Sequence, residues 1–460
     1  MAKEVILVSG KYPGGVRGGH ESFVRATARA ACMAGYEPHI FCTAPSAGIR
    51  AEDYGYVHYV KSPYRPFGSK MLPWQAPILV ESIERYLRDK PGPHLIHGFC
   101  VWGYVAVRVS QILRRKGIEA TAVLNSYDIM AREVWAKLRS LDIAGGWYNY
   151  PRYGGEYLWH RAVIRRYERY AYNHARLVIV NYESVRDLIL KTYGPQVRVR
   201  KLAYTSETAF LRPAFPRPIM SRPADEKSDL GAAHTLGNPD SPLIVAVSRH
   251  SPRKGLNYLI HALAELCARG HRFRACLVGG GDLLAEHTRM VERLGLEKIV
   301  AVTGRVPDSF AFMEQADIFV LPSIEEGSGS VSVIEALQAG KAIVASAVDG
   351  IPEDIIHDQS GLLVRPKSVR ELSNAIEKLL MDPDLRRRLG QGARSRFDEK
   401  FSPATFSSSL AELYAELGFG AVSQPSTARN TTKFGMLAQS AKSVCPNRSD
   451  PAVSQGATAD

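Results

Sequence analysis

The chain has 460 residues, 45% hydrophobic and 23% charged, with a formal net charge of +13. This composition excludes a disordered or fibrous protein and is typical of a soluble globular protein of about two or three domains. The positive charge fits nucleic acid, an anionic membrane or a phosphorylated substrate, and equally an ordinary solvated surface. The six cysteines are scattered, without metal-ligand or disulfide-scaffold spacing. With neither a signal peptide nor a membrane-spanning run recognisable, we expect a cytoplasmic protein.

Short apolar runs alternate with helical segments through residues 1–210, which predicts a doubly wound α/β domain. The first strand is "EVILVSG", followed by a loop that contains Gly18 and Gly19 and by the helix "HESFVRATARAACMAGY". The later strands are "EPHIFCTA", "HLIHGF", "EATAVLNS" and "ARLVIVN". Parallel strands buried on both faces are expected to be mainly apolar, and each of these runs has an apolar centre.

The second half repeats the architecture after a break. Residues 211–242 are rich in proline and polar residues, which indicates a linker or surface excursion. A second Rossmann-like domain is predicted for residues 243–400, with strands at "PLIVAVS", "RACLVGGG", "IVAVTG", "DIFVLPS", "AIVAS" and "GLLV". A C-terminal helix is expected at 401–420, and a disordered tail at 421–460, where no hydrophobic period is sustained.

Glycine-rich loops at the carboxyl ends of such strands are the usual places for a ligand. In "VSRHSPRKGLNYLIHALAEL", Arg249 and Lys254 follow a strand and precede a helix. A guanidinium fork, an ammonium and a helix N-terminus together suit a diphosphate. The alternative is a basic, solvated loop.

The segment "EEGSGSVSVIEALQAG" follows the strand "DIFVLPS". Its Gly/Ser run can present N–H groups to an anion before a helix that ends at Gly340. Glu326 and Glu335 can accept hydroxyl groups of a sugar or ribose. The alternatives are a capping acid for Glu326 and a helix-face acid for Glu335.

The order and spacing of "VSRHSPRKGLNYLIHAL", "CLVGGGD", "LPSIEEGSGSVSVIEALQAGKAIVAS" and "GIPEDIIHDQSGLLV" resemble the retaining glycosyltransferases of family 4. The resemblance covers residues 241–400 strongly and 1–210 more weakly. It implies the GT-B fold, in which two Rossmann-like domains face each other across a cleft. It also implies a nucleotide-diphosphate-sugar donor, with the acceptor entering between the domains.

The resemblance implies a role for each matched residue. Arg249 and Lys254 match the pair that binds the diphosphate, Glu326 the acid on the transferred sugar, and Glu335 the acid on the ribose. Gly18 and Gly19 match the loop that approaches the diphosphate from the other domain. Eight residues separate the two acids here, whereas the family has seven, so the phosphate-facing N–H remains open among three donor-binding candidates: Gly329, Ser330 and Val331.

On the acceptor side the family often has a histidine after the strand "TAVLNSYD", where this chain has Tyr127 and Asp128. His97 is the other candidate, with a packed histidine as the alternative. Family 4 enzymes are thought to use same-face attack, in which the leaving phosphate takes the acceptor proton. No cofactor and no metal are expected, because the D-x-D of Asp382 and Asp384 is better explained as the start of a helix.

The expected function is therefore retaining hexosyl transfer from a nucleotide sugar to a glycan or lipid-linked acceptor, in cell-surface polysaccharide or glycolipid synthesis. A GT-B epimerase or a sugar phosphorylase is the alternative, and no nucleic-acid motif is present. Residues 131–176 combine aromatic and basic residues. This region either contacts an anionic membrane or lipid-linked acceptor, peripherally at the inner face, or contains an ordinary packed helix.

Overall fold

The computed structural model describes residues 3–11, 19–63, 68–139, 150–212, 236 and 238–420. Gly18, most of the predicted linker at 211–242 and the predicted tail at 421–460 lie outside the described residues. Within the described part, the chain forms two sheets, one of eight and one of six strands, and each is flanked by helices.

The N-terminal sheet has the strand order β3-β4-β2-β1-β5-β6-β7-β8. Its strands are β1 Lys3–Lys11, β2 Tyr36–Ala44, β3 Gly48–Glu52, β4 Gly55–Lys61, β5 His94–Phe99, β6 Ala120–Ser126, β7 Leu177–Val180 and β8 Val199–Lys201. Neighbours pair in parallel, except that β3 runs antiparallel to β4. The chain order reverses between β1 and β5, which places a crevice at the carboxyl ends of those strands.

The helices of this half connect its parallel strands. They are α1 Gly19–Met33, α2 Leu72–Leu87, α3 Gly103–Arg115, α4 Met130–Arg139, α5 Tyr150–Trp159, α6 Arg165–His174, α7 Glu183–Tyr193 and α8 Glu207–Leu211. A π-helical turn, His160–Ile164, joins α5 to α6. The helix α1 begins directly after the glycine-rich loop, so its first turn faces the crevice.

The C-terminal sheet has the order β11-β10-β9-β12-β13-β14, with parallel pairing throughout its described strands. Its strands are β9 Leu243–Val247, β10 Arg274–Val278, β11 Val300–Gly304, β12 Ile318–Leu321, β13 Ala342–Ser346 and β14 Leu362–Val364. Its helices are α9 Leu256–Ala268, α10 Leu284–Arg293, α11 Ser309–Gln315, α12 Val331–Gln338, α13 Ile351–Asp354, α14 Val369–Met381 and α15 Pro383–Lys400. The order reverses between β9 and β12, and there a ligand crevice is expected.

Two doubly wound α/β domains were predicted, and the structure confirms them. The central strands are apolar because both of their faces are covered. In β12, for example, Ile318, Phe319 and Val320 are fully buried. Among the described residues, no helix is both long and apolar enough to cross a membrane.

The last helix, α16 Pro403–Glu416, returns to pack on the N-terminal domain. Tyr414 is fully buried there, and its hydroxyl lies 2.7 Å from Nδ1 of His97 on β5. Tyr36 donates from its hydroxyl to the carbonyl oxygen of Phe419 at 2.7 Å. The end of the described chain therefore completes the core of the first domain.

This packing predicts a large effect of truncating Tyr414. The Tyr414→Ala variant should lose about 3–5 kcal/mol of unfolding free energy, because an aromatic side chain leaves a cavity. Tyr414→Phe should lose only about 1 kcal/mol, the usual net value of one hydrogen bond. Urea denaturation measures both. Glu412→Ala, an exposed change on the same helix, should be nearly neutral, and equal midpoints for all three variants would contradict the packing role.

Candidate active site

The strand-order reversal of the C-terminal sheet brings two loops together. Arg249 lies just after β9, and a 3-10 turn, Pro252–Lys254, leads into α9. The second loop, 322–330, joins β12 to α12. The backbone N–H of Ile324 donates to the carbonyl oxygen of Arg253 at 2.8 Å, which fixes one loop against the other.

Lys254 and Glu326, predicted from separate motifs, form a buried ion pair. Nζ of Lys254 lies 2.5 Å from Oε2 of Glu326, and their side chains are 11% and 3% exposed. Ser323 donates from its hydroxyl to the other carboxylate oxygen at 2.5 Å. Burial lowers the pKa of Lys254, and the Glu326 carboxylate beside it opposes that shift. Lys254 and Glu326 therefore form an ion pair held away from water where the two loops meet.

Two arginines surround this pair. Arg253, which sequence reasoning missed, donates from Nη1 to the carbonyl oxygen of Glu326 at 3.2 Å. Arg249 is exposed, and its positive charge, like that of Arg253, lowers the pKa of Lys254. Arg249, Arg253 and Lys254 thus bring three cations to the loops around Glu326, and cations are the groups that an anionic ligand requires.

The Gly/Ser loop turns tightly into α12. Gly327 has a φ of +84°, and a Cβ there would lie 2.5 Å from Oδ2 of Asp128, so only glycine fits. Ser330 occupies the N-cap position of α12 without a side-chain capping hydrogen bond, and Val331 is the first residue of the helix. The first N–H groups of a helix have no intrahelical partner, which makes this turn a candidate anion site. The predicted helix and its end at Gly340, with a φ of +61°, are confirmed.

Gly329 packs against the other domain. A Cβ on Gly329 would lie 1.9 Å from the hydroxyl of Tyr182, a buried residue just before α7. The hydroxyl of Tyr182 donates to Oδ2 of Asp354 at 2.7 Å. Glu335, on α12, accepts from the hydroxyl of Thr208 on α8 at 2.7 Å. The Gly/Ser loop and α12 thus both contact the N-terminal domain.

Asp349 and Arg132 are further members of the site that sequence reasoning missed. Asp349 accepts from the backbone N–H groups of Glu326 and Gly327 at 2.8 and 2.9 Å. Arg132, on α4, donates from Nη2 to Asp349 at 2.7 Å. The sequence signal for Asp349 was the aspartate–glycine pair in "VDGIPED", because that pair is typical of a turn.

The N-terminal wall of the crevice contains the acceptor-side candidates Tyr127 and Asp128. Asp128 is half-buried beside Gly327, and burial raises its pKa to about 7, with Glu133 adding to the shift and Arg132 opposing it. The hydroxyl of Tyr127 is hydrogen-bonded to Nδ1 of His20, whose Nε2 lies 3.0 Å from the hydroxyl of Ser9.

His20 directly follows Gly19, the first residue of α1. Its position after the glycine pair was the signal in the sequence that could have assigned it to the site. Gly19 itself has open space around it, and Gly18 lies outside the described residues. His97 is fully buried in β5 and stacks on Phe99 at 4.9 Å. Burial lowers the pKa of His97 to about 3. His97 therefore has no exposed surface that an acceptor could contact.

One group with metal-like spacing occurs among the described residues: Glu4, Glu37 and His39. It lies at the beginning of β1 and β2, whereas the candidate site lies beyond strand carboxyl ends. Nζ of Lys90 already lies 2.6 and 2.8 Å from the two Glu4 oxygens. The D-x-D motif begins a helix, as predicted, since Asp382 accepts from the N–H of Leu385 at 2.9 Å and caps α15.

The aromatic and basic region at 131–176 lies on the N-terminal domain, except that residues 140–149 are outside the described part. Trp74 stacks on Trp159 with ring centroids 5.6 Å apart, and Trp74 is 43% exposed. Leu158 is 63% exposed, and Arg161 and Arg166, further along the same stretch of chain, are exposed too. The surface therefore combines apolar side chains with positive charge.

Two family models match the chain. "Glycosyltransferase Family 4" matches residues 17–201, and "Glycosyl transferases group 1" matches residues 233–396. Together they span more than half of the chain, one on each domain.

Curated relatives agree with these models. An "Alpha-D-kanosaminyltransferase" of Streptomyces kanamyceticus is 29% identical over 55% of this chain and 63% of its own length. A "GDP-mannose-dependent alpha-(1-6)-phosphatidylinositol monomannoside mannosyltransferase" of Mycolicibacterium smegmatis is 28% identical over 52% of this chain and 62% of its own. The matches thus span about three fifths of these relatives. They give no support to the epimerase or phosphorylase alternative.

Solved structures show the same fold. A sucrose-phosphate synthase from Thermosynechococcus elongatus superposes with a TM-score of 0.66 at 22% identity, over 90% of this chain and 99% of the other. The Anabaena HepE protein in complex with UDP-glucose gives a TM-score of 0.62 at 19% identity, over 90% and 99%. With the two family models and the two facing α/β domains, these findings show that the chain belongs to the group 1, family 4 glycosyltransferases of GT-B fold.

Proposed function

We propose that the protein is a retaining hexosyltransferase that uses a nucleotide-diphosphate-sugar donor and a glycan or lipid-linked acceptor, in cell-surface polysaccharide or glycolipid synthesis. The observation that supports this most is the buried Lys254–Glu326 pair among arginines at the strand-order reversal. The names of the relatives describe sugar transfer, and one neighbour was solved with UDP-glucose. The mycobacterial relative's name describes a glycolipid acceptor.

In this proposal the donor lies across the crevice of the C-terminal domain. Arg249 and Lys254 bind the diphosphate, and the N–H groups at Gly329, Ser330 and Val331 complete its surroundings. Glu326 contacts the transferred sugar, and Glu335 contacts the ribose. Gly18 and Gly19 approach the diphosphate from the N-terminal domain.

The proposed reaction is same-face attack with retention of configuration. The bond between the anomeric carbon and the diphosphate oxygen breaks, and the acceptor oxygen bonds to that carbon on the same face. The acceptor proton passes to the leaving phosphate. The basic residues contribute by stabilising the negative charge that develops on the diphosphate, so no protein nucleophile is required.

We also propose that transfer needs neither a metal nor another cofactor. The support is the presence of Arg249, Arg253 and Lys254 around Glu326, since such cations can bind a diphosphate directly. On the acceptor side, Tyr127, Asp128 and His20 are the polar groups of the N-terminal wall. His97 retains no acceptor role in this proposal, because it is fully buried.

The proposed location is the cytoplasm, with peripheral contact at the inner face of the membrane. The exposed Trp74 and Leu158 and the neighbouring arginines support it. Such a mixed surface can insert apolar side chains while its cations face anionic headgroups.

A donor panel tests the proposed function. Purified protein incubated with UDP, GDP and ADP sugars and a mixed acceptor panel should release one nucleoside diphosphate and form a product with the donor's anomeric configuration. NMR of the product reads the configuration. Excess EDTA should leave the rate unchanged. An inverted product, or isomerised sugar without transfer, would contradict the proposal.

The Lys254–Glu326 pair predicts a further outcome. Lys254→Met and Glu326→Gln should each reduce kcat by about 10²–10³-fold, as loss of a charge-stabilising group does. Each single change also leaves one buried partner unpaired, which costs about 3–5 kcal/mol of stability. The double variant should regain thermal stability and remain inactive. If it regained activity, the lower kcat of the single variants would be due to impaired folding. The exposed Lys298→Met serves as the control.

Membrane contact predicts binding that depends on charge. The protein should float with vesicles of anionic phosphatidylglycerol at low salt and not with neutral phosphatidylcholine. Arg161→Glu with Arg166→Glu should weaken binding at least about tenfold, since each basic residue contributes about 1 kcal/mol. Arg289→Glu with Arg293→Glu, an equal charge change on exposed α10 residues, should not. No flotation of the wild-type protein would refute the contact.

A further inference from the structure

We propose that Arg132 is a positioning residue that holds the donor-side loop from the opposite domain, acting through Asp349. This inference rests on the proposed function, in which the loop binds the donor. It adds that the N-terminal domain sets the geometry of the C-terminal donor site.

The first observation is the bridging role of the Asp349 carboxylate. One of its oxygens accepts from the backbone N–H groups of both Glu326 and Gly327, at 2.8 and 2.9 Å. Its other oxygen accepts from Nη2 of Arg132 at 2.7 Å. Arg132 also donates from Nη1 to the carbonyl oxygen of Gly327 at 3.3 Å. Nε of Arg132 also lies 3.5 Å from Oε1 of Glu325, so the arginine contacts the loop directly at two residues and again through Asp349.

Asp349 occupies an unfavourable backbone conformation to make these contacts. Its φ is +47°, in the left-handed region that residues other than glycine adopt at a cost, though aspartate and asparagine tolerate it better than most. Its side chain is only 14% exposed. Such a conformation persists where surrounding interactions compensate for it, and functional sites are a common place for it.

Hydrogen bonds within the N-terminal domain fix the helix that carries Arg132. Arg132 lies in the first turn of α4, where the N–H of Met130 donates to the buried carboxylate of Glu168 at 3.1 Å. Glu168 also accepts from the hydroxyl of Tyr193 at 2.9 Å. The Arg132 side chain therefore extends from a helix whose first turn is fixed by a hydrogen bond to Glu168.

The contacts also select which N–H groups remain for a diphosphate. Asp349 already accepts from Glu326 and Gly327, so the groups open to an anion lie further along, at Gly329 to Val331 and the start of α12. The backbone at Glu326 carries the carboxylate that pairs with Lys254. A shift of this backbone would move the sugar-binding acid and the phosphate-binding turn together.

The experiment uses the full chain and three principal variants, Arg132→Gln, Asp349→Asn and the double variant, with Arg132→Lys as the rescue and Arg186→Gln as the control. Asparagine tolerates the left-handed conformation and keeps an oxygen for the two N–H groups, so Asp349→Asn removes mainly the charge. Hydrogen–deuterium exchange should be at least tenfold faster in the peptide covering 324–331 for Arg132→Gln, with a thermal midpoint close to wild type. Arg132→Lys should restore part of the protection.

Kinetics with whichever donor the wild-type enzyme uses provide the second readout. Each single variant should lower kcat about tenfold or more, and the double variant should lose less than the product of the two single losses. Arg186→Gln, an exposed arginine on α7 that pairs with Glu183, should change neither readout. Unchanged exchange in Arg132→Gln, or additive losses in the double variant, would overturn the inference. Because hydrogen exchange is measured without substrate, it tests whether Arg132 holds the loop independently of any transfer activity. The inference can therefore be judged even if no sugar is transferred and the proposed function fails.

Discussion

A carboxylate buried from water is stable only with a cation and hydrogen-bond donors around it, and Glu326 imposes this requirement on the whole C-terminal domain. Lys254 supplies the cation and Ser323 a hydroxyl. Lys254 belongs to the loop after β9, and the other two to the loop after β12. These strands are distant in the chain but adjacent in the sheet, because the strand order reverses between them. The same reversal that opens a ligand crevice therefore provides the partner that the buried acid needs.

Much of the fold could be predicted because parallel strands buried on both faces must be apolar. The runs "EVILVSG", "PLIVAVS" and "DIFVLPS" became β1, β9 and β12 for this reason. The strands β3, β4 and β8 were not predicted, and β4 was missed although Val57 and His58 in it are buried. Most residues of β3 are exposed, and β8 has only three residues. Both β3 and β8 are edge strands, which pack against few other residues, and neither has an apolar face. No hydrophobic pattern therefore distinguished these two strands from loops.

The site was predictable only where a single motif contains its residues. Arg249, Lys254 and Glu326 stand in loops whose composition indicates anion binding, but their ion pairing is a tertiary contact. Arg132 and Thr208 belong to the other half of the chain, and their partners Asp349 and Glu335 lie more than a hundred residues away. No periodicity links such positions. The spacing of Glu326 and Glu335 was visible in the sequence, whereas the packing of Gly329 against Tyr182 required the folded structure.

The return of α16 to the first domain has a consequence for the order of events during synthesis. Tyr414 and Phe419 close the core around Tyr36 and His97. On a ribosome, the N-terminal strands emerge long before these residues. At about 5–20 residues per second, the delay is on the order of tens of seconds. The first domain therefore begins folding with part of its core uncovered, and only the arrival of the last helix completes it. A chain released early would expose that apolar surface, a natural binding site for chaperones.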